Sequence, residues 1–227
     1  MKPWKRLVAA FALFLSPGAA SALTYSVVTV GDRSAIVADG SIEQNEGQRF
    51  RDFLVGLDAR GGVPGTVLIH SPGGYARGGF ELGLYLRQLG LGVVVGAVRR
   101  DAATGAPVLL SGRCASACVL AMMGGRRRVV PDGSRIYVHR HRALYGGGDS
   151  GDALPPALME PGRGSEQLVN GMRAYASMMG VDPGLITLAD SVPHESARLL
   201  TPGEVRRFRL STETGGAPVR GTKRARR

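Results

Sequence analysis

Short β-branched runs alternate with stretches of helical spacing along this 227-residue chain, and that alternation restricts its fold more than any other feature. Residues 24–30 and 34–38 are rich in Val, Ile and Thr, and Gly31-Asp32 between them predicts a hairpin. Phe50, Phe53, Leu54 and Leu57 recur at helical spacing, which predicts an amphipathic helix ending at Gly61-Gly62. Residues 66–70 make a compact buried strand closed by Ser71-Pro72-Gly73-Gly74. A second helix follows, with Phe80, Leu84 and, as a further candidate, Leu91 on one face, and 92–98 suits the middle of a sheet. The polar stretch 99–107 predicts an exposed insertion. Apolar residues 119–123 open another helix, and 128–130 and 136–139 read as short strands around Pro131-Asp132-Gly133. A Gly- and Pro-rich loop spans 145–164. Leu168, Met172, Tyr175 and Met179 mark a longer helix, and 182–188 and 201–208 two short ones. Strand and helix in regular succession predict an α/β domain with a mostly parallel sheet flanked by helices.

The N-terminus reads as an export signal over residues 1–22. Lys2, Lys5 and Arg6 precede an apolar stretch too short to span a bilayer, and Ala20-Ser21-Ala22 supplies the small residues that a signal peptidase needs. An N-terminal membrane anchor is the alternative. The domain then covers 23–212, with no transmembrane segment after the signal, and the protein is expected to be periplasmic or secreted. Net charge is +11, but eight of the positive charges sit at the two ends, five of them in a basic, disordered tail over 213–227. The domain itself lacks a dense basic helix, an aromatic platform or zinc spacing, so no specific nucleic-acid partner is expected.

Cys114 and Cys118 are the only cysteines. In an oxidising compartment an even pair suggests a disulfide, yet the loop closed is so small that two buried thiols remain the alternative. Two cysteines alone make a poor metal site, and His139-x-His141 offers no evident third ligand, so no metal or cofactor is expected.

Two segments concentrate chemistry. The paired glycines of Ser71-Pro72-Gly73-Gly74 let the backbone turn tightly and let a ligand approach bare N–H groups. Ser116 sits among small residues at a helix start, where it is either an N-cap or a hydroxyl exposed beside free N–H groups, as an acyl-transfer nucleophile requires.

The order of these motifs is more specific than either alone. Residues 67–74, 112–116 (Gly-x-x-Ala-Ser) and 136–139 (Ile-Tyr-Val-His), with Leu-Thr-Pro-x-Glu at 200–204, resemble the proteolytic subunit of the Clp protease and its crotonase-superfamily relatives. The similarity runs from about residue 41 to 210, and Cys-x-Ser-x-Cys behind a signal looks like a periplasmic branch. The resemblance implies a ClpP/crotonase-like fold of repeated β-β-α units. It implies a serine peptidase or hydrolase with Ser116 as nucleophile and His139 as base. Backbone N–H groups of Gly73 and Ala117 would form the oxyanion hole, with Gly74 as their neighbour. It further implies a peptide or protein substrate, a homo-oligomer, and no cofactor. The family's acid falls on Ala197, so Glu195, Asp190 and Ser196 become candidates for the third triad member. A Ser/Lys dyad is disfavoured because 23–212 contains no Lys. A catalytically inactive binding protein of the cell envelope is the alternative, and an acyl-thioester enzyme a third reading that the exported location opposes.

Overall fold

In this computed structural model the described residues are 21–58, 62–141 and 164–213. Of the expected signal segment over 1–22 only Ser21 and Ala22 are among them, of the expected tail over 213–227 only Glu213, and nearly all of the 145–164 loop lies outside them.

The chain opens with a hairpin, β1 (Thr24–Val30) and β2 (Arg33–Asp39), turned at Gly31 with φ +64°. Helix α1 (Glu46–Asp58) crosses to β3 (Thr66–His70), which lies parallel to β2. Helix α2 (Ala76–Gln88) returns the chain to β4 (Gly92–Arg100), parallel to β3. These crossovers give the sheet its parallel centre and bury Ile36, Val67, Ile69, Val93 and Val95. The start of α1 is tied down by Glu46, which is fully buried. Its carboxylate accepts from the Glu43 N–H (2.7 Å), Tyr25 Oη (2.9 Å) and Arg49 (3.0 Å), while burial still pushes its pKa upward.

The 99–107 stretch is not an insertion. Arg99 and Arg100 continue β4, which folds back antiparallel onto β5 (Pro107–Ser111). Exposed arginines fit there because a ladder needs only backbone groups, and the side chains point to water. The strands expected around Pro131-Asp132-Gly133 also part company. β7 (Arg128–Val129) joins β4 in the main sheet, whereas β8 (Arg135–Val138) lies between β6 (Arg113–Ala115) and β9 (Arg198–Leu199) in a separate three-stranded sheet.

Helix α3 (Ala117–Met123) is buried along its whole length. It packs on α2 through glycines. A Cβ on Gly79 would strike Ala117 O, and one on Gly83 would strike the hydroxyl of Tyr175. That tyrosine, on α4 (Gly164–Met178), donates to Leu120 O (2.9 Å) and meets Phe80 edge-on at 4.8 Å. On α2 itself Phe80, Leu82 and Leu86 carry the buried face, while Leu84 is half-buried and Leu91 lies beyond the helix. Helices α5 (Gly184–Ser191) and α6 (Pro202–Arg207) complete the described chain, α6 capped by the reciprocal Thr201–Glu204 box.

Arg126-Arg127-Arg128 reads from sequence as a solvated turn, and for Arg128 the structure overturns that. Arg126 and Arg127 are exposed, but Arg128 is 3% exposed. Its guanidinium donates to Gly125 O (3.0 Å), Met179 O (3.1 Å), Leu210 O (3.0 Å) and Arg209 O (2.9 Å). Arg87 approaches the same carbonyl of Met179 at 2.8 Å. Burial, then the Arg87 charge, lowers the Arg128 pKa to about 10, so it stays cationic at neutral pH. Among the described residues neither arginine pairs with a carboxylate. Backbone dipoles satisfy the charge instead.

Candidate active site

The three-stranded sheet brings the chemistry-bearing residues together. Ala115 pairs with Tyr137 across the parallel β6–β8 ladder, and the Ser116 N–H donates to Tyr137 O (3.0 Å). Ser116 therefore leaves β6 beside the end of β8, where His139 follows. The Ser-Pro-Gly-Gly turn is stitched to the other edge of β6 by Ser71 N–H to Arg113 O (2.8 Å) and Ala115 N–H to Ser71 O (3.1 Å).

Ser116 is not an N-cap in the ordinary sense. Its side chain makes no cap hydrogen bond, and its backbone holds φ +53° and ψ −121°. Of the described non-glycine residues only Arg209 shares a positive φ. Such a conformation costs on the order of 1–3 kcal/mol and persists only where the surroundings over-determine it. A sharp strand-to-helix turn of this kind holds a nucleophilic Ser out from the backbone.

Gly73 lies directly against that turn. With φ +104°, a Cβ there would come within 2.6 Å of Ala115 O and 2.9 Å of Ser116 Cβ. Gly74, at φ +142°, is pressed onto Ile42, whose N–H takes Gly73 O (2.8 Å). The expected oxyanion donors differ in readiness. The Ala117 N–H, at the first position of α3, has no hydrogen-bond partner among the described residues. The Gly73 N–H donates to Ser71 Oγ (3.1 Å), so an incoming oxyanion would compete with that buried hydroxyl.

His139 Nδ1 stands 2.8 Å from Arg140 O. A carbonyl can only accept, so Nδ1 carries the proton and Nε2 keeps its lone pair, the tautomer a general base needs. No hydrogen bond joins Ser116 Oγ to an imidazole among the described residues. Such contacts are often long in a free site and tighten around substrate.

None of the three candidate third members bonds His139. Asp190 faces Arg140, with its carboxylate at 3.4 Å and its carbonyl accepting at 2.7 Å. Glu195 and Ser196 are exposed, and Ser196 uses its N–H on Pro193 O (3.0 Å). The orienting partner is the Arg140 backbone. Its N–H is fixed to Val192 O (2.8 Å) and its guanidinium to Asp190, which leaves its carbonyl aimed at the imidazole. Asp190 thus acts on Arg140 rather than on His139.

His194 enters the site without a cue in the sequence. Its Nδ1 shares Arg140 O at 3.2 Å, and its ring meets that of His139 at 5.1 Å and 75°. His141 lies 6.3 Å from His139, ring to ring. The fourth histidine, His70, accepts the Arg113 N–H at Nδ1 (3.0 Å). Only their convergence in space reveals the cluster, since His194 sits in a turn with no periodicity around it. Among the described residues no group of three His, Cys, Asp or Glu side chains is placed to hold a metal, and no helix is long and apolar enough to cross a membrane.

Two solved structures of the 1510-N membrane-bound stomatin-specific protease, one with a substrate peptide, are similar to the chain at 15% identity. They cover 76% and 78% of it and 73% and 71% of their own chains, with TM-scores of 0.47 and 0.46. ClpP1 from Listeria monocytogenes is similar at 14% identity over 75% of this chain and 84% of its own, with a TM-score of 0.44. No family model and no curated protein matches the chain.

Beside the site opens a cavity of about 720 Å³, with His141 and His194 among its lining residues and Val169, Met172, Ile186 and Ala189 among its apolar walls. Burial, then the His139 and His194 charges, lowers the His141 pKa from 6.5 to about 4. The sign follows directly. Above pH 6.5 neither the folded nor the unfolded chain protonates His141; below it the unfolded chain does first, so stability falls toward pH 4. Glu46, raised in the folded state, contributes in the opposite direction. Comparing urea midpoints at pH 7 and pH 4.5 should therefore show a loss in the parent that His141→Gln reduces by about 2 kcal/mol.

Proposed function

We propose that the chain is an exported serine hydrolase, periplasmic or secreted, that cleaves peptides through a Ser116 acyl-enzyme with His139 as general base. The observation that carries this reading is the turn at Ser116. A non-glycine residue is held at φ +53° on the strand-to-helix junction, free of any cap bond, beside the glycine turn and the end of β8.

In the mechanism, His139 Nε2 takes the Ser116 hydroxyl proton as Oγ attacks the scissile carbonyl carbon. Negative charge develops on the carbonyl oxygen, within reach of the Ala117 N–H and, once it leaves Ser71 Oγ, the Gly73 N–H. Each such donor contributes about 2.7–4 kcal/mol. The imidazolium then gives its proton to the leaving amine, and water, activated by the same Nε2, releases the acid product. Arg140 O keeps Nδ1–H oriented throughout. A neutral carbonyl fixes the tautomer but stabilises the imidazolium less than a carboxylate does, which favours a slow enzyme. The cavity beside His194, whose walls mix Val169, Met172 and Ile186 with Arg140, Arg173 and Asp190, offers room for a substrate side chain.

A fluorophosphonate probe with peptide mapping tests the reading. Its adduct is expected on Ser116, and an adduct that persists in Ser116→Ala would overturn it. The second reading, an inactive binding protein of the envelope, draws support from the hydroxyl already on the Gly73 N–H and from the carbonyl in place of an acid. Turnover of a peptide library by the protein, lost in His139→Ala, excludes it. A homo-oligomer belongs to the same proposal, and light scattering on a sizing column measures it.

A further inference from the structure

We infer that the Cys114–Cys118 disulfide is the positioning brace of Ser116, so that the hydroxyl is competent only while this pair is oxidised; the inference rests on Ser116 being the nucleophile. Cys114 lies in β6 and Cys118 in the first turn of α3, both fully buried, with Cα atoms 5.3 Å apart. The bond therefore spans the one strand-to-helix turn where a serine is held at φ +53°. The Ser116 side chain does nothing to hold the turn, because it makes no cap bond. Backbone bonds anchor each side separately: Ala115 N–H to Ser71 O (3.1 Å) and Ser116 N–H to Tyr137 O (3.0 Å) before it, Val119 N–H to Ser116 O (2.9 Å) after it. Besides the chain itself, the disulfide is the covalent tie from strand to helix across it.

Without the bond, the first turn of α3 can rotate until Ser116 reaches an ordinary negative φ, which swings Oγ away from Gly73 and the Ala117 N–H. The rest of α3 is held independently by the Gly83 contact and by Tyr175 Oη on Leu120 O (2.9 Å), so the change stays local. The redox step is an exchange. A disulfide-bearing oxidant accepts two electrons and two protons from the thiols as the Sγ–Sγ bond forms, and a dithiol reverses it by closing its own ring. In a reducing compartment the brace is open, and in an oxidising one it is closed. Export would thus switch the nucleophile on.

The test measures fluorophosphonate labelling rates for the oxidised protein, the dithiothreitol-reduced protein and Cys114→Ala/Cys118→Ala, with circular dichroism reporting the fold. Thiol counting confirms the redox state of each sample. Labelling at least tenfold slower in both bridge-free forms, with the helical signal retained, is the expected result. Rates within twofold of the oxidised protein overturn the brace alone. An oxidised protein that does not label at Ser116 overturns both the brace and the hydrolase reading. If the double variant fails to fold, the reduced protein decides. Loss of helical signal in both forms also overturns the brace, since the bridge would then serve global stability.

Discussion

Replacing either Ser116 or His139 by Ala is expected to lower kcat/KM on a peptide substrate by about 10⁴-fold or more, and replacing both by no more than the larger single loss. The non-additivity is the informative part. In the proposed mechanism Ser116 supplies the attacking oxygen and His139 Nε2 removes its proton, so each would be of little use without the other. Residual turnover would come from the Ala117 and Gly73 N–H groups and from substrate binding. Because His139 takes its orientation from a carbonyl and not from a carboxylate, Asp190→Asn should have a far smaller effect, working through the Arg140 guanidinium it holds. Kinetics of the two single variants, the double variant and Asp190→Asn on one substrate check the whole pattern. Losses for Ser116 and His139 that multiply would mean the two residues act independently.

The largest stability effect is expected at Arg128. Substitution by Met keeps the apolar stem but leaves the carbonyls of Gly125, Arg209 and Leu210 without this donor, while Met179 O keeps Arg87. Buried acceptors stripped of a charged donor cost about 1–3 kcal/mol each, though relaxation and the relief of Arg128 desolvation offset part of the sum. A net loss of about 3–5 kcal/mol follows, a large share of the roughly 5–15 kcal/mol that keeps an ordinary domain folded. Urea denaturation of Arg128→Met measures it. Arg128→Lys, a compact charge without the planar fork, is expected to recover only part. A loss under about 1 kcal/mol for Met would show that the carbonyls find other partners.

Much of this architecture was legible from the sequence, for physical reasons that also explain the misses. The strand Thr66–His70 shows plainly because Val67, Leu68 and Ile69 run up to a Ser-Pro-Gly-Gly stop. The first hairpin shows because a Gly-Asp turn separates two β-branched runs. The β4–β5 hairpin did not, since Arg99 and Arg100 contribute backbone to the ladder while their side chains read as loop. Arg128 was misread for a related reason. Nothing in three consecutive arginines tells which one four distant carbonyls will surround.

The site divides in the same way. Ser116, His139 and Gly73 lie in local motifs whose order along the chain is informative, and the β6–β8 register brings the first two to adjacent strand ends. The partner of His139 is a backbone atom, Arg140 O, which no residue type announces. Ala197 offers no carboxylate, and the atom facing His139 Nδ1 is that carbonyl. His194 was invisible because it reaches the cluster from a turn 55 positions after His139.

The Arg128 cage also sets a timetable. Its acceptors come from the end of α3, from the residue after α4, and from Arg209 and Leu210. During synthesis, or while threading through a membrane as an unfolded chain, the cage cannot close until residue 210 has emerged. Until then the helix that follows Ser116 lacks one of its anchors, although every residue of the site is already present. Completion of the support around Ser116 thus waits on residues 209 and 210, so a stalled or truncated chain would carry the residues of the candidate site in a loosely held form.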